Sequence, residues 1–170
     1  MWQKKSKKTE QAQDLTQADL KRKAVELLAR REYSYVEIER KLCPLTPNEA
    51  DVYAALDWLL EHGLQSDERF ACSYVRSKAL AGYGPIRIKM ELNQKGVHEK
   101  WIQNGFDECQ KEINWDDQVD QLVEKKARSL DLSEAKEKNK LLGYLQRRGF
   151  SLDQIYGGLE RFRQAQNESL

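Results

Sequence analysis

One spacing of apolar residues occurs three times in this chain of 170 residues and strongly limits how it can fold. In each copy an isoleucine follows an aromatic residue by five positions, and a leucine follows the isoleucine by four. The copies are Tyr33 with Ile38 and Leu42, Tyr83 with Ile88 and Leu92, and Phe150 with Ile155 and Leu159. Because residues four apart share one face of a helix, the spacing predicts an irregular helical repeat.

The residue after each aromatic is suited to begin a helix. Ser34 with Glu37, and Ser151 with a glutamine three residues later, match the capping box. Gly84 followed by Pro85 matches the pattern of glycine at the cap and proline in the first turn. Each copy also follows an amphipathic run such as "AVELLARREY", so the recurring unit is predicted to be helix, tight turn, helix.

Further boundary signals divide the rest of the chain. The stretch "TPNE" (residues 46–49) matches a capping box that begins at Thr46, and Ser66 or Asp67 begins a helix that ends at Gly82. Other helices are predicted over residues 98–111, 116–128 and 133–148. Nothing in the pattern favours a strand or a hairpin.

We therefore predict an all-α fold of about nine helices, built as three tandem three-helix repeats that form an elongated, curved stack. The predicted repeats span residues 16–64, 65–112 and 113–170. Residues 1–15 lack an apolar stripe, carry four lysines before Thr9, and are predicted to be a disordered basic tail.

The segment "GYGPIRIKMELNQKGV" (residues 82–97) has an ambiguous pattern. Its apolar residues alternate with polar ones, which is typical of a strand, but the other two copies of the repeat favour a helix. On a helix, Ile88 and Leu92 share one face, whereas Ile86 and Met90 lie nearly opposite. We expect both stripes to be buried, with this helix sandwiched between neighbours.

Composition excludes several classes of protein. No apolar run approaches the roughly 18 residues that a membrane span needs, and the N-terminus does not resemble a signal peptide. Cys43, Cys72 and Cys109 lie far apart and are expected to be reduced, packed thiols. These features predict a soluble cytoplasmic protein that does not bind membranes.

No motif predicts catalysis, a metal site or a cofactor. His62 and His98 are remote from each other and follow no metal-binding spacing, so structural roles are expected. The cluster of Asp116, Asp117 and Asp120 lacks EF-hand spacing, and acidic residues are favoured in the first turn of a helix. We predict that the protein is not an enzyme.

The net charge of +1 conceals segments of opposite sign. Residues 76–96 contain five bases against one acid, Glu91, whereas residues 107–137 contain ten acids against five bases. Basic residues near the ends of the first helices recur, and equivalent positions in a stack would form a stripe that follows a phosphate backbone or an acidic groove. Stabilisation of helix dipoles also explains such positions without a ligand. The candidate contacts are Arg30, Arg31, Arg76, Lys78, Arg87, Lys89, Lys95, Arg147 and Arg148.

The sequence also resembles a known family. "SDERFACSYVRSKALAGYGPIRIKMELNQKGV" is similar to the central signature of the RecX family of bacterial regulatory proteins. "LLARREYSYVEIERKL" resembles the first repeat of that family, with Ile38 in place of the usual leucine, and "LLGYLQRRGFSLDQI" resembles its third. The resemblance covers about residues 18–163 and omits only the lysine-rich tail.

This resemblance implies a three-repeat, all-helical modulator of the RecA recombinase. Such a protein would bind RecA and its filament on DNA, along the filament groove, and inhibit the ATPase, strand-exchange and co-protease activities. It would thereby modulate DNA repair, recombination and the SOS response. The resemblance implies no catalysis, metal or nucleotide; weak binding to single- and double-stranded DNA without sequence preference is expected, by a monomer.

Two other functions fit the same residues. Paired helices joined by a tight turn are found in helix-turn-helix proteins that bind a specific DNA sequence, although a buried middle helix would expose few groups able to read bases. A helical scaffold that binds only protein is the other alternative. Steep weakening of binding with salt would distinguish a phosphate contact from a purely protein contact.

Overall fold

A computed structural model describes residues 14–168, which contain nine α-helices and no strand. The all-α prediction is confirmed for this part of the chain. The helices are α1 (Gln17–Leu28), α2 (Tyr35–Leu42), α3 (Glu49–Glu61), α4 (Asp67–Leu80), α5 (Pro85–Gln94), α6 (Glu99–Cys109), α7 (Trp115–Ala127), α8 (Ala135–Arg148) and α9 (Leu152–Glu168). A 3-10 turn, Cys43–Leu45, follows α2.

The chain divides into two compact units after Gln65. The first unit holds α1, α2 and α3 around one hydrophobic core. Tyr33, Ile38 and Leu42 of the repeated pattern are all buried in it. Gln65 is also buried, and its side-chain amide donates to the carbonyl oxygen of Tyr33 at 3.2 Å.

The second unit contains two hydrophobic cores. Helices α4, α5 and α6 enclose one, with Phe70, Ile88 and Leu92 buried, and α7, α8 and α9 enclose the other. Trp115 packs against both cores, so it joins the two halves of this unit. The aromatic–isoleucine–leucine pattern thus marks core positions in all three groups of helices. The predicted repeat boundaries themselves stay a prediction.

The predicted helix starts are confirmed at all three copies of the pattern. Ser34 and Glu37 form a reciprocal capping box at α2, and the amide of Ser151 and the side chain of Gln154 form the same arrangement at α9. Gly84 precedes α5, with Pro85 in its first turn. At α3 the prediction was wrong in detail, because Asn48 rather than Thr46 caps the helix and accepts from the amide of Ala50.

Helix α5 contradicts the prediction that both of its apolar stripes are buried. Segment 85–94 is helical, and Ile88 and Leu92 are fully buried, but Ile86 and Met90 are 58% and 51% exposed. Helix α5 therefore buries one apolar stripe and leaves the other on the surface of its unit. The expectation failed because it assumed a neighbouring helix on both sides, whereas α4 and α6 pack against only one face.

Most of the predicted disordered tail lies outside the described residues. Within them, the amide of Leu15 donates to the carbonyl oxygen of Leu45, and the Leu15 side chain packs against the first core. Between residues 14 and 168, no helix is long and apolar enough to cross a membrane. The three cysteines are free thiols, and Cys109 is buried.

Candidate functional site

The end of α8 is joined to the beginning of α5 by their backbones. The amide of Gly84 donates to the carbonyl oxygen of Arg148 at 2.7 Å, and the amide of Ile86 donates to that of Gly149 at 3.0 Å. A helix leaves its first amides and last carbonyls without partners inside the helix. Here the two sets satisfy each other, and Pro85, which has no amide hydrogen, lies between the two donors.

This joint depends on two glycines. Gly149 ends α8 in the left-handed conformation, with φ of 97°, which glycine adopts without steric cost. A Cβ on Gly149 would lie 2.6 Å from the amide nitrogen of Arg87, and one on Gly84 would lie 2.7 Å from that of Phe150. Side chains at either position would therefore force the two helices apart.

Three predicted contact residues surround one tyrosine ring beside this joint. Lys78, Arg87 and Arg148 place their charged groups 4.8, 4.5 and 4.7 Å from the centre of the Tyr83 ring. Arg148 also donates to the carbonyl oxygen of Ala81 at 3.1 Å. We call Lys78, Arg87, Arg148 and Tyr83 the cation cluster.

Glu91 is the acidic residue that balances the cation cluster. Its carboxylate receives hydrogen bonds from the hydroxyl of Tyr74 at 2.6 Å and from Nε of Arg87 at 2.8 Å, and it pairs with Lys78 at 2.9 Å. Burial alone would raise the pKa of Glu91, but these three donors outweigh burial and lower the pKa from 4.5 to about 2. Glu91 therefore remains charged, and Lys78 and Arg87 have a structural role within the unit.

Two further tyrosines extend the cluster on either side. Lys95 lies 5.4 Å from the centre of the Tyr74 ring, and Lys126 lies 4.8 Å from that of Tyr144. Arg148 is also 5.3 Å from the Tyr144 ring. The two tyrosines and Lys126 were not among the predicted contacts. Tyr74 lies four residues before Lys78 on α4, and Tyr144 lies four residues before Arg148 on α8, so this helical spacing could have found both tyrosines. No such spacing links Lys126, which comes from α7.

The remaining predicted residues of the second unit lie in other surroundings. Arg76 pairs with Glu112 at 3.0 Å, and Lys89 pairs with Glu99 at 2.6 Å. Residues two apart on a helix point in nearly opposite directions, so Arg76 lies away from Lys78, and Lys89 away from Arg87. Arg147 is exposed, and no carboxylate between residues 14 and 168 pairs with it.

Arg30 and Arg31 belong to the first unit. Arg31 stacks over Tyr33, with its guanidinium carbon 3.5 Å from the ring centre, and pairs with Glu37 at 3.3 Å. Arg30 is exposed in the turn after α1. Arg31 and Arg148 each lie two residues before the aromatic residue of their copy of the pattern. The equivalent residue in the second copy is Ala81. The predicted bases thus do not follow a single register, and their contact with a partner stays a prediction.

Residues 14–168 contain no group of three or more histidine, cysteine or acidic side chains that could hold a metal ion. His62 and His98 have structural roles, since His62 ends α3 and the ring of His98 accepts from the amide of Lys100.

The surface chemistry of the exposed bases suits binding to anions. Arg76 and Lys89 are half-exposed and paired with exposed acids, so an incoming phosphate or carboxylate can compete for them.

The fold and the surface together define a class of protein: an all-helical protein of three-helix groups with basic and acidic surfaces. The model of the second three-helix domain of RecX matches residues 66–105, and that of the third matches residues 116–157. The chain belongs to the RecX family.

Relatives support this assignment over most of the chain. A regulatory protein RecX of Pseudomonas savastanoi pv. phaseolicola is 38% identical over 140 residues, which cover 82% of this chain and 89% of the relative. That of Vibrio parahaemolyticus is 37% identical over 135 residues, or 79% of this chain and 86% of the relative.

Solved structures agree with the fold. The crystal structure of RecX from Lactobacillus salivarius superposes with a TM-score of 0.72 at 23% identity, covering 85% of this chain and 95% of that one. A crystal structure of a regulatory protein RecX gives a TM-score of 0.68 at 25% identity, covering 82% and 72%. The relatives and the family models confirm the predicted family, whose matched members are named as regulatory proteins.

Proposed function

We propose that this protein regulates the RecA recombinase by binding RecA and its filament on DNA. Through this binding it inhibits the ATP hydrolysis, strand exchange and co-protease activity of RecA, and so modulates DNA repair and the SOS response. It acts in the cytoplasm, as a monomer, without catalysis, metal or cofactor. The observation that carries the proposal is the match, over 82% of the chain, to a relative named as a regulatory protein RecX.

The arrangement of the basic residues supports a multivalent contact. Lys89 pairs with Glu99 at the start of α6 and Arg76 pairs with Glu112 just beyond its end, while Arg30 and Arg31 belong to the other unit. Several weak contacts carried by one chain act as a single strong one when they engage neighbouring sites of a filament. Contacts to phosphate of this kind read no base sequence, so weak binding to free DNA should be independent of sequence.

The decisive experiment measures ATP hydrolysis by RecA on single-stranded DNA while this protein is added in increasing amounts. We expect inhibition at substoichiometric concentrations, because one bound molecule affects several units of the filament. Full ATP hydrolysis at equal concentrations would overturn the proposal. A preference for one duplex sequence in a direct binding assay would instead favour a helix-turn-helix function.

A further inference from the structure

The exposed stripe of α5 borders a groove. Ile86 and Met90 are four residues apart, so they share one face of the helix, and both are more than half exposed. Together with Gln146 and Arg147 at the end of α8, they line a groove of about 390 Å³. We call it the α5–α8 groove. Its volume suits a few side chains of a partner rather than a folded domain.

The joint between the two helices fixes the shape of the groove. The bonds from the amides of Gly84 and Ile86 to the end of α8 hold the two walls together. Arg87 adds a third link, since its guanidinium donates to the carbonyl oxygen of Arg147 at 3.2 Å. A rigid groove binds a partner without first losing conformational entropy of its own.

The charges along the groove favour an acidic partner. Glu91 is the acid that lines it, and its carboxylate is already held by Tyr74, Arg87 and Lys78. Arg147 is exposed and has no carboxylate partner among residues 14–168. A carboxylate brought next to the apolar stripe would therefore meet a cation that is available and an acid that is already neutralised.

We propose that the α5–α8 groove binds a segment of a protein partner that carries a bulky apolar side chain next to a carboxylate. The apolar side chain covers Ile86 and Met90, and the carboxylate pairs with Arg147. This inference rests on the proposed function and deepens it, because it assigns the protein part of the filament, rather than its DNA, to this face. Apolar contacts are not screened by salt, so this part of the affinity should persist where phosphate contacts weaken.

The test measures binding of labelled protein to preformed RecA filaments on single-stranded DNA, at low and at high salt. Replacing both apolar residues (Ile86→Ser with Met90→Ser) should weaken binding by about tenfold or more at both salt concentrations. Arg147→Glu should weaken binding most at low salt. Leu80→Ser is the matched control, because Leu80 is 74% exposed but lies outside the groove, and it should bind normally.

The possible outcomes separate this inference from the proposed function. If the wild-type protein does not bind filaments at all, the proposed function fails. If it binds and the double variant binds equally well, with an unchanged helical spectrum and melting temperature, the groove has no such partner. Equal loss of binding to free single-stranded DNA would overturn the inference in favour of nucleic acid. A wild-type dimer that becomes monomeric in the double variant would overturn it in favour of a second copy.

Discussion

Gly84 and Gly149 meet backbone to backbone, although they lie 65 positions apart in the sequence. Gly84 has an extended backbone that any residue can adopt, so its role is to allow this close approach. Gly84→Ala should therefore lower the free energy of unfolding by about 1–3 kcal/mol through overpacking alone. Urea unfolding followed by circular dichroism would measure the change.

Gly143→Ala is the control for this substitution. Gly143 lies inside α8, and an added Cβ would meet only the mobile end of the Arg147 side chain, at 3.2 Å. Because alanine favours helix by about 1 kcal/mol relative to glycine, this variant should be as stable as the wild type or more so. If both variants lost stability equally, the close approach at Gly84 would not be the cause.

The second prediction concerns pH and Glu91. Folding lowers the pKa of this carboxyl from 4.5 to about 2, so its contribution to stability is complete above pH 4.5 and is lost as the pH falls towards 2. Glu91→Gln should lower the free energy of unfolding at neutral pH by up to about 3 kcal/mol. The difference between the two proteins should shrink when urea unfolding is repeated from about pH 5 down to about pH 3.

Glu99→Gln provides the comparison. Glu99 pairs with Lys89 at a similar distance, but 56% of its side chain is exposed. Exposed ion pairs contribute at most about 1 kcal/mol, so this variant should differ little from the wild type at any pH. A pH-independent difference for Glu91→Gln would show that charge on this carboxylate does not stabilise the fold.

The third prediction compares two isoleucines of α5 that differ in burial. Ile88 is fully buried, so Ile88→Asp places an unpaired charge in the core and should unfold the α4–α6 group. Ile86 is exposed and lies in the first turn of α5, where a negative charge is favourable. Ile86→Asp should therefore fold normally in thermal melting. A normal melting curve for Ile88→Asp would contradict the assigned core.

The fourth prediction concerns salt. Arg76 and Lys89 pair only with exposed acids, so replacing either with glutamine should leave the fold intact. If each contacts a phosphate, each variant should bind filaments more weakly and reduce the slope of log affinity against log salt concentration by about 1. Lys111→Gln, which removes a similar exposed pair with Glu108, should leave the slope unchanged.

Local patterns predicted the helices well, because caps and apolar spacing act within a few residues. The capping boxes at Ser34 and Ser151 are examples. Thr46 was wrongly chosen as a cap because its hydroxyl accepts from the amide of Asn48, before the helix begins, whereas the Asn48 side chain accepts from the amide of Ala50 inside the first turn. The predicted sandwich of α5 was wrong because an alternating pattern does not show whether a second face is covered.

The candidate site was less accessible to such reasoning. The charges of Lys78, Arg87 and Arg148 were visible in the sequence, but their shared contact with Tyr83 depends on a joint between distant segments. The acid that neutralises two of them, Glu91, stood out only as the single acid of a basic segment. Sequence alone therefore could not separate bases used within the fold from bases such as Arg147 that have no acidic partner in the described residues.

The joint between α5 and α8 has a consequence for building chimeras from related proteins. Each group of helices carries its own core, which suggests that the groups could be exchanged between relatives one at a time. The second and third groups, however, each supply one glycine to the same contact. A chimera that keeps only one of these glycines would lose the contact, so a transplanted group must carry glycine at the matching position.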